Sequence, residues 1–174
     1  MTGKILLCCC LSLAAPFSAG SATNDSNAVQ GSTHRPLPAS WFSKAKGYEK
    51  ALELQKETGA DLFVYFSRQA PNDEAGLCRW FENKALTAPV LKDYLRSYLR
   101  VEVPLPSNPD CQKMAESFGV RKCPAVYIVQ FNGWTQACKA FNWSTGRPLL
   151  FPPEEFVELL SARSSERYSF IQKE

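Results

Sequence analysis

The chain has 174 residues, 45% of them hydrophobic and 12% aromatic, with a formal net charge of +3. That length accommodates one domain with a sizeable core once the ends are set aside. The small charge, with acids and bases interspersed and no basic stripe joined to aromatics, argues against nucleic acid as a partner, and the aromatic content argues against a disordered chain.

The first residues have the pattern of an export signal. Lys4 supplies a positive start, residues 5–15 are apolar with Cys8, Cys9 and Cys10 as small hydrophobes, and Ser18, Ala19, Gly20, Ser21 and Ala22 offer a cleavage site. Residues 1–22 therefore read as a signal peptide, too short for a convincing membrane span, and an uncleaved signal is the only route to membrane contact. The expected location is secreted or periplasmic. Residues 23–40, rich in Ser, Asn, Thr and Gly and closed by Pro36 and Pro38, read as a flexible linker. His34, the only histidine, falls within it as a solvated bystander. Ser–His and Cys–His catalysis then lack their base.

The domain is expected over residues 41–163. Residues 41–58 predict a helix, with Ala45, Tyr48, Ala51, Leu52 and Leu54 at helical spacing and Gly59 as its stop. Leu62, Phe63, Val64, Tyr65 and Phe66 form an apolar run that predicts a buried strand over 61–67. A polar loop leads to a helix over 74–86, which restarts near Thr87 or Ala88 with Pro89 in its first turn and runs to about 98. A short apolar strand over 99–103 precedes a connection carrying Pro104, Pro106 and Pro109, and a short helix over 109–118 ends at Gly119. Strands over 125–131 and 135–141 flank Asn132-Gly133, a strong hairpin signal. A last helix covers 152–161, and residues 164–174 are a polar tail. Strands joined through helices predict a parallel pair, the hairpin an antiparallel one, and together a helix-flanked mixed sheet of the α/β class.

With the signal set aside, Cys78, Cys111, Cys123 and Cys138 remain. In an oxidising compartment four cysteines permit up to two disulfides, with three pairings open. Their spacing is not that of a zinc site, and no metal or cofactor is expected. Cys78 follows the buried strand and enters a helix, where the dipole favours the thiolate.

Two segments resemble the thioredoxin-like superfamily. Phe118-Gly119-Val120-Arg121-Lys122-Cys123-Pro124, followed by Ala125-Val126-Tyr127-Ile128-Val129, resembles that family's F/Y-G-V-x-x-x-P segment. Cys78-Arg79-Trp80-Phe81-Glu82, followed by Ala88-Pro89-Val90, resembles the subgroup motif C-x-x-C-K-x-L/F-E with its later D/A-P-x-V. The resemblance covers about residues 48–160 and implies a thioredoxin-like fold with a cis peptide before Pro124, facing the active-site region. It also implies a departure. Cys78 matches the second cysteine of the motif, and Ala75 stands where the first, attacking cysteine belongs. Alanine cannot attack a disulfide, so the usual C-x-x-C reaction is unavailable.

The fold implied by the resemblance gathers Cys78, Cys123 and the region before Cys111 at one pole. Thiol–disulfide exchange with protein thiols or disulfides would then use Cys78 and Cys123, with Pro124 beside them. The alternative is a redox-inactive module that binds a partner or an extended peptide, with structural disulfides. Cys78 also reads as a small buried residue, Cys123 equally as half of a structural disulfide, Cys111 as an exposed thiol at a helix start, and Cys138 as core. Asp61 reads as a cap or solvated acid, Glu82 as a solvated or salt-bridged helix acid, and Trp80, Trp134 and Trp143 as packing residues. The sequons at Asn24 and Asn142 matter only in a glycosylating pathway.

Overall fold

The computed structural model describes residues 37–143 and 146–165. The signal peptide, Cys8 to Cys10, His34, the Asn24 sequon, most of the linker, Ser144 of the second sequon and the tail from 166 lie outside the described residues.

Five strands form the main sheet, in the order β1-β3-β2-β4-β5: β1 Phe42–Ser43, β2 Leu62–Arg68, β3 Leu99–Leu105, β4 Ala125–Val129 and β5 Thr135–Cys138. β2 pairs parallel with β3, which pairs parallel with β1, while β2–β4 and β4–β5 are antiparallel. The sheet is therefore mixed, as expected. β2 is its central strand, and Leu62 to Ser67 are all buried. Alternation along the strand sends Leu62, Val64 and Phe66 into one core and Phe63 and Tyr65 into the other. That two-sided burial is why the segment reads as an unbroken apolar run. The first core packs beneath α1 (Lys44–Thr58) and α4 (Pro109–Ser117), and the second beneath α2 (Asp73–Phe81), α3 (Pro89–Tyr94) and α5 (Pro153–Ser161).

Local signals set most boundaries. Gly59, at φ 69°, closes α1 in the left-handed conformation that glycine tolerates. The Gln55 side chain then donates to Ala60 O at 2.8 Å and to Val129 O at 2.9 Å, fastening the end of α1 to β4. Asn72 caps α2 by accepting from Ala75 N–H at 3.0 Å. Asn108 caps α4 by accepting from Cys111 N–H at 2.8 Å. Pro89 and Pro109 sit in first turns, where the missing N–H costs nothing. Asn132-Gly133 makes the β4–β5 turn, with Gly133 at φ 87°.

The expected helix over 74–86 starts one residue earlier and passes at Glu82 into a π-helical stretch, Glu82–Leu86. The expected strand over 135–141 divides at Cys138. Phe141–Asn142 (β6) instead pairs antiparallel with Leu149–Leu150 (β7) in a small second sheet. Leu37 packs against the first core, Pro38 O accepts from Arg100 Nη2 at 2.9 Å, and Ser165 is held at the far end by Asp61. The Cys123–Pro124 peptide is cis, as the family resemblance implied, and Leu105–Pro106 is cis as well. Among the described residues, no helix is long and apolar enough to cross a membrane.

Candidate functional site

Three chain segments meet at the end of the sheet where β2 finishes. The register pairs Phe66 with Ala125 and Arg68 with Leu105, so the end of β2, the end of β3 and the start of β4 share one pole. The loop after β2 leads into α2, and the cis Cys123–Pro124 loop leads into β4.

Arg68, the last residue of β2, joins the two thiols of the site. Its backbone N–H donates to Cys78 Sγ at 3.3 Å, and its positive charge favours the thiolate of Cys123. Its Nε donates to Glu74 Oε2 at 3.0 Å, and the same carboxylate oxygen accepts the Cys123 N–H at 3.2 Å. Behind Cys78, the Tyr65 hydroxyl donates to Glu82 Oε1 at 2.8 Å. All four cysteines of the described residues are free thiols.

Cys78 corrects one expectation. Asn72 starts α2 early enough that Asp73, Glu74 and Ala75 fill the first turn, and Cys78 falls in the second. The helix dipole acts mainly within the first turn, and Cys78 is only 1% exposed. Burial pushes its thiol up; the Arg68 amide and the Tyr65 hydroxyl pull it back, and the Glu82 and Glu74 carboxylates push it further. The helix therefore does not deliver a ready thiolate. Cys123, 2% exposed, is pushed up to about 11 by burial, then by Cys78 and Glu74, with Arg68 opposing.

The other thiols are core residues. Cys111 is fully buried rather than exposed, and belongs to the same core cluster as Cys78 and Cys123. Cys138 lies in the opposite core, as expected, where burial pushes it up to about 12 against the opposing charge of Arg163.

Two acids differ from the sequence reading. Glu82 is neither free in solvent nor salt-bridged in its contact with the site: it takes the Tyr65 proton donor. Asp61 is buried, and its carboxylate accepts the Phe131 N–H at 3.2 Å and the Ser165 N–H at 2.7 Å at the opposite end of β2. It is a structural clamp rather than a cap or surface group. Arg68, Glu74 and Tyr65 were missed altogether. The available signal was positional: Arg68 closes the apolar run, and Glu74 opens the helix that carries Cys78.

Beside the cis-proline lies an open groove of about 860 Å³, lined by Leu77, Lys122, Cys123, Pro124, Phe141 and Trp143 among others. Cys123 lines it and Cys78 does not. Trp80 packs on Phe141 at 5.5 Å between ring centroids, next to this groove. Trp143 and Trp134 are more than half exposed, so neither is a core residue. Among the described residues, no group of three or more His, Cys, Asp or Glu side chains is placed to hold a metal ion.

No protein-family model matches the chain, and no curated protein matches it. Solved structures do. The C-terminal domain of DsbD from Neisseria meningitidis, in its oxidised form, is 16% identical, with 71% of this chain and 99% of that domain covered and a TM-score of 0.52. A thioredoxin from Thermus thermophilus is 20% identical over 74% of this chain and 88% of its own, with a TM-score of 0.51. The DsbH oxidoreductase is 16% identical over 82% of this chain and 94% of its own, also at 0.51. At these identities the likeness establishes architecture, and on that ground the chain has the thioredoxin-like fold.

Proposed function

We propose that this is an exported protein that performs thiol–disulfide exchange with a protein partner, using Cys123 and Cys78 in place of a C-x-x-C pair. Cys123 attacks from the groove. Its thiolate forms a bond to one sulfur of the partner's disulfide, the partner S–S bond breaks, and the released partner thiolate takes up a proton. Cys78 then attacks the Cys123 sulfur, frees the second partner thiolate and leaves a Cys78–Cys123 disulfide. Two thiols of this chain are oxidised and one partner disulfide is reduced. Export rests on the signal-like leader.

The observation that carries this reading is the position of Arg68, whose amide donates to the Cys78 sulfur while its side chain is joined through Glu74 Oε2 to the Cys123 amide. Pro124 and the apolar groove offer an extended partner segment a surface next to the attacking thiol. Both thiols are protonated at neutral pH, so exchange is slow there and accelerates as the pH rises towards 11.

A second reading is supported by Ala75 at the matched attacking position and by the near-complete burial of both sulfurs. It is a redox-inactive module that holds an extended peptide along the Pro124 loop. One experiment separates the two: oxidise the reduced protein with a small disulfide, map its cysteines by mass spectrometry, and assay insulin reduction. A Cys78–Cys123 bond, with activity lost in Cys78→Ser and Cys123→Ser, supports exchange. Free thiols throughout, with no activity, support the binding module.

A further inference from the structure

The groove beside Pro124 is unevenly charged. Four charged side chains line it: Asp73 and Glu74 from the first turn of α2, Lys122 from the cis-proline loop and Lys139 from just past β5. Glu74 is already engaged, by Arg68 Nε at 3.0 Å and by the Cys123 amide at 3.2 Å. Asp73, Lys122 and Lys139 are exposed, and none of them is in an ion pair among the described residues. Asp73 occupies the first helical position of α2, where the helix dipole already favours its negative charge. The two lysines have no such compensation. Val126 pairs with Cys138, the last residue of β5, so Lys139 leaves the sheet at the level of the loop that carries Lys122. Arg121, also exposed, adds a further cation to that loop. The wall made by the cis-proline loop and the end of β5 is therefore basic, and it borders Cys123 directly. Between the charges the lining is apolar, and Trp143 keeps 52% of its surface open to solvent there.

We propose that the partner segment that exchanges with Cys123 is acidic, with carboxylates flanking its half-cystine and a bulky apolar side chain seated against Trp143. The inference deepens the exchange reading above and rests on it. A segment docked in the groove strips water from Lys122 and Lys139, and only an opposite charge offsets that cost. A basic segment would add like-charge repulsion to it. The two ammonium groups also screen the partner's carboxylates from the Cys123 thiolate, which an acidic segment would otherwise repel. In the exchange step the Cys123 sulfur bonds to the partner sulfur and the partner S–S bond breaks. Its electron pair leaves on the second partner sulfur, which takes a proton from water.

The test uses the full chain and three nine-residue peptides, each with one cysteine activated as its pyridyl disulfide. They are identical except at the two positions flanking the cysteine, which are both Glu, both Gln or both Lys. Attack releases thiopyridone, read by its absorbance, and mass spectrometry maps the attached peptide to Cys123. At low ionic strength the Glu peptide is expected to react about tenfold faster than the Lys peptide, with the Gln peptide between them. The ratio should shrink towards one at about 1 M salt, where charges are screened over about 3 Å. It should also shrink in the double variant Lys122→Gln, Lys139→Gln, and rise in Asp73→Asn. Replacing Trp143 by alanine should slow the Glu peptide without changing the Glu-to-Lys ratio. Equal rates for the three peptides, a faster Lys peptide, or a ratio untouched by the double lysine variant overturns the acidic partner. Dithiodipyridine, a small uncharged disulfide, separates the two readings. No release from it overturns the exchange reading and this inference together, whereas release from it with equal peptide rates overturns the acidic partner alone.

Discussion

Glu74 Oε2 accepts the backbone N–H of Cys123 at 3.2 Å, and so joins the first turn of α2 to the loop that carries Pro124. The same oxygen accepts Arg68 Nε–H at 3.0 Å. One carboxylate thereby fixes the relative positions of β2, α2 and the cis-proline loop, and with them the two sulfurs.

That bond sets the first prediction. Glu74→Ala leaves the Cys123 amide without its acceptor and Arg68 without its counter-ion. Both partners of the ion pair remain about a quarter exposed, which limits what the charge contributes. The expected cost is about 1–2 kcal/mol, measured by denaturant unfolding. The alkylation rate of Cys123 should rise as the loop loosens. Glu74→Gln retains an acceptor oxygen and should show less of both effects. A Glu74→Ala variant with parental stability and parental alkylation kinetics would remove Glu74 as the organiser of the loop.

The second prediction concerns alkaline pH. In the unfolded chain, Cys123 ionises near the usual thiol value of about 8.5, while in the folded chain burial holds it protonated to about 11. Between those values the native state binds a proton that the unfolded state has lost, so stability falls as the pH rises. The contribution is complete below the unfolded value and lost on passing through the folded one. At about 1.4 kcal/mol per pH unit the loss is on the order of 3 kcal/mol. Unfolding free energies measured across this range should fall less steeply in Cys123→Ala than in the parent chain. Parallel slopes would mean that the thiol is not held neutral by the fold.

The elements that were legible in the sequence are those whose cause is local. β2 could be read because both of its faces are buried, Asn132-Gly133 because only a few residue pairs make that turn, and the starts of α3 and α4 because Pro89 and Pro109 suit a first turn. The fold followed from two motifs in the right order. The two-residue strands β1, β6 and β7 have no period to read and owe their existence to neighbouring strands. The site was legible only in part. Cys78, Cys123 and Pro124 stood out, yet the environment of Cys78 depended on where Asn72 would start the helix. Glu74 and Cys123 are separated by 49 positions, and no local pattern announces that they will bond.

Asp61 is the clearest case of long-range burial and carries the third prediction. Its partners lie 70 and 104 positions away, at Phe131 and Ser165. Burial raises its carboxyl above the ordinary carboxylate value, while the bonds from Ser165 and Phe131 pull it back. Asp61→Ala strands two amide donors at the base of the sheet. The expected destabilisation is about 2–4 kcal/mol, with faster amide exchange at Phe131 and Ser165 than at the Cys123 loop. Exchange that accelerates uniformly through the domain would show that Asp61 acts on global stability without clamping the chain end.

Ala75 supplies the last prediction, because it tests whether the motif alignment identifies the lost attacking position. Ala75 lies three residues before Cys78 in the same helix, inside the first turn, where the dipole favours an anion. Positions three apart on a helix face one another, and the loop-to-helix start offers some freedom to close a disulfide. Ala75→Cys should therefore introduce a thiol more acidic than either Cys78 or Cys123, together with insulin reduction above the parent level. Ala75 is 1% exposed, so the larger sulfur crowds its neighbours, at an expected cost of about 1–3 kcal/mol. Cys78→Ser in that background should abolish the gained activity if the new thiol works with Cys78, and Cys123→Ser should not. A variant that folds, carries the new thiol and reduces insulin no faster than the parent would show that the attacking position lies elsewhere in the loop after β2.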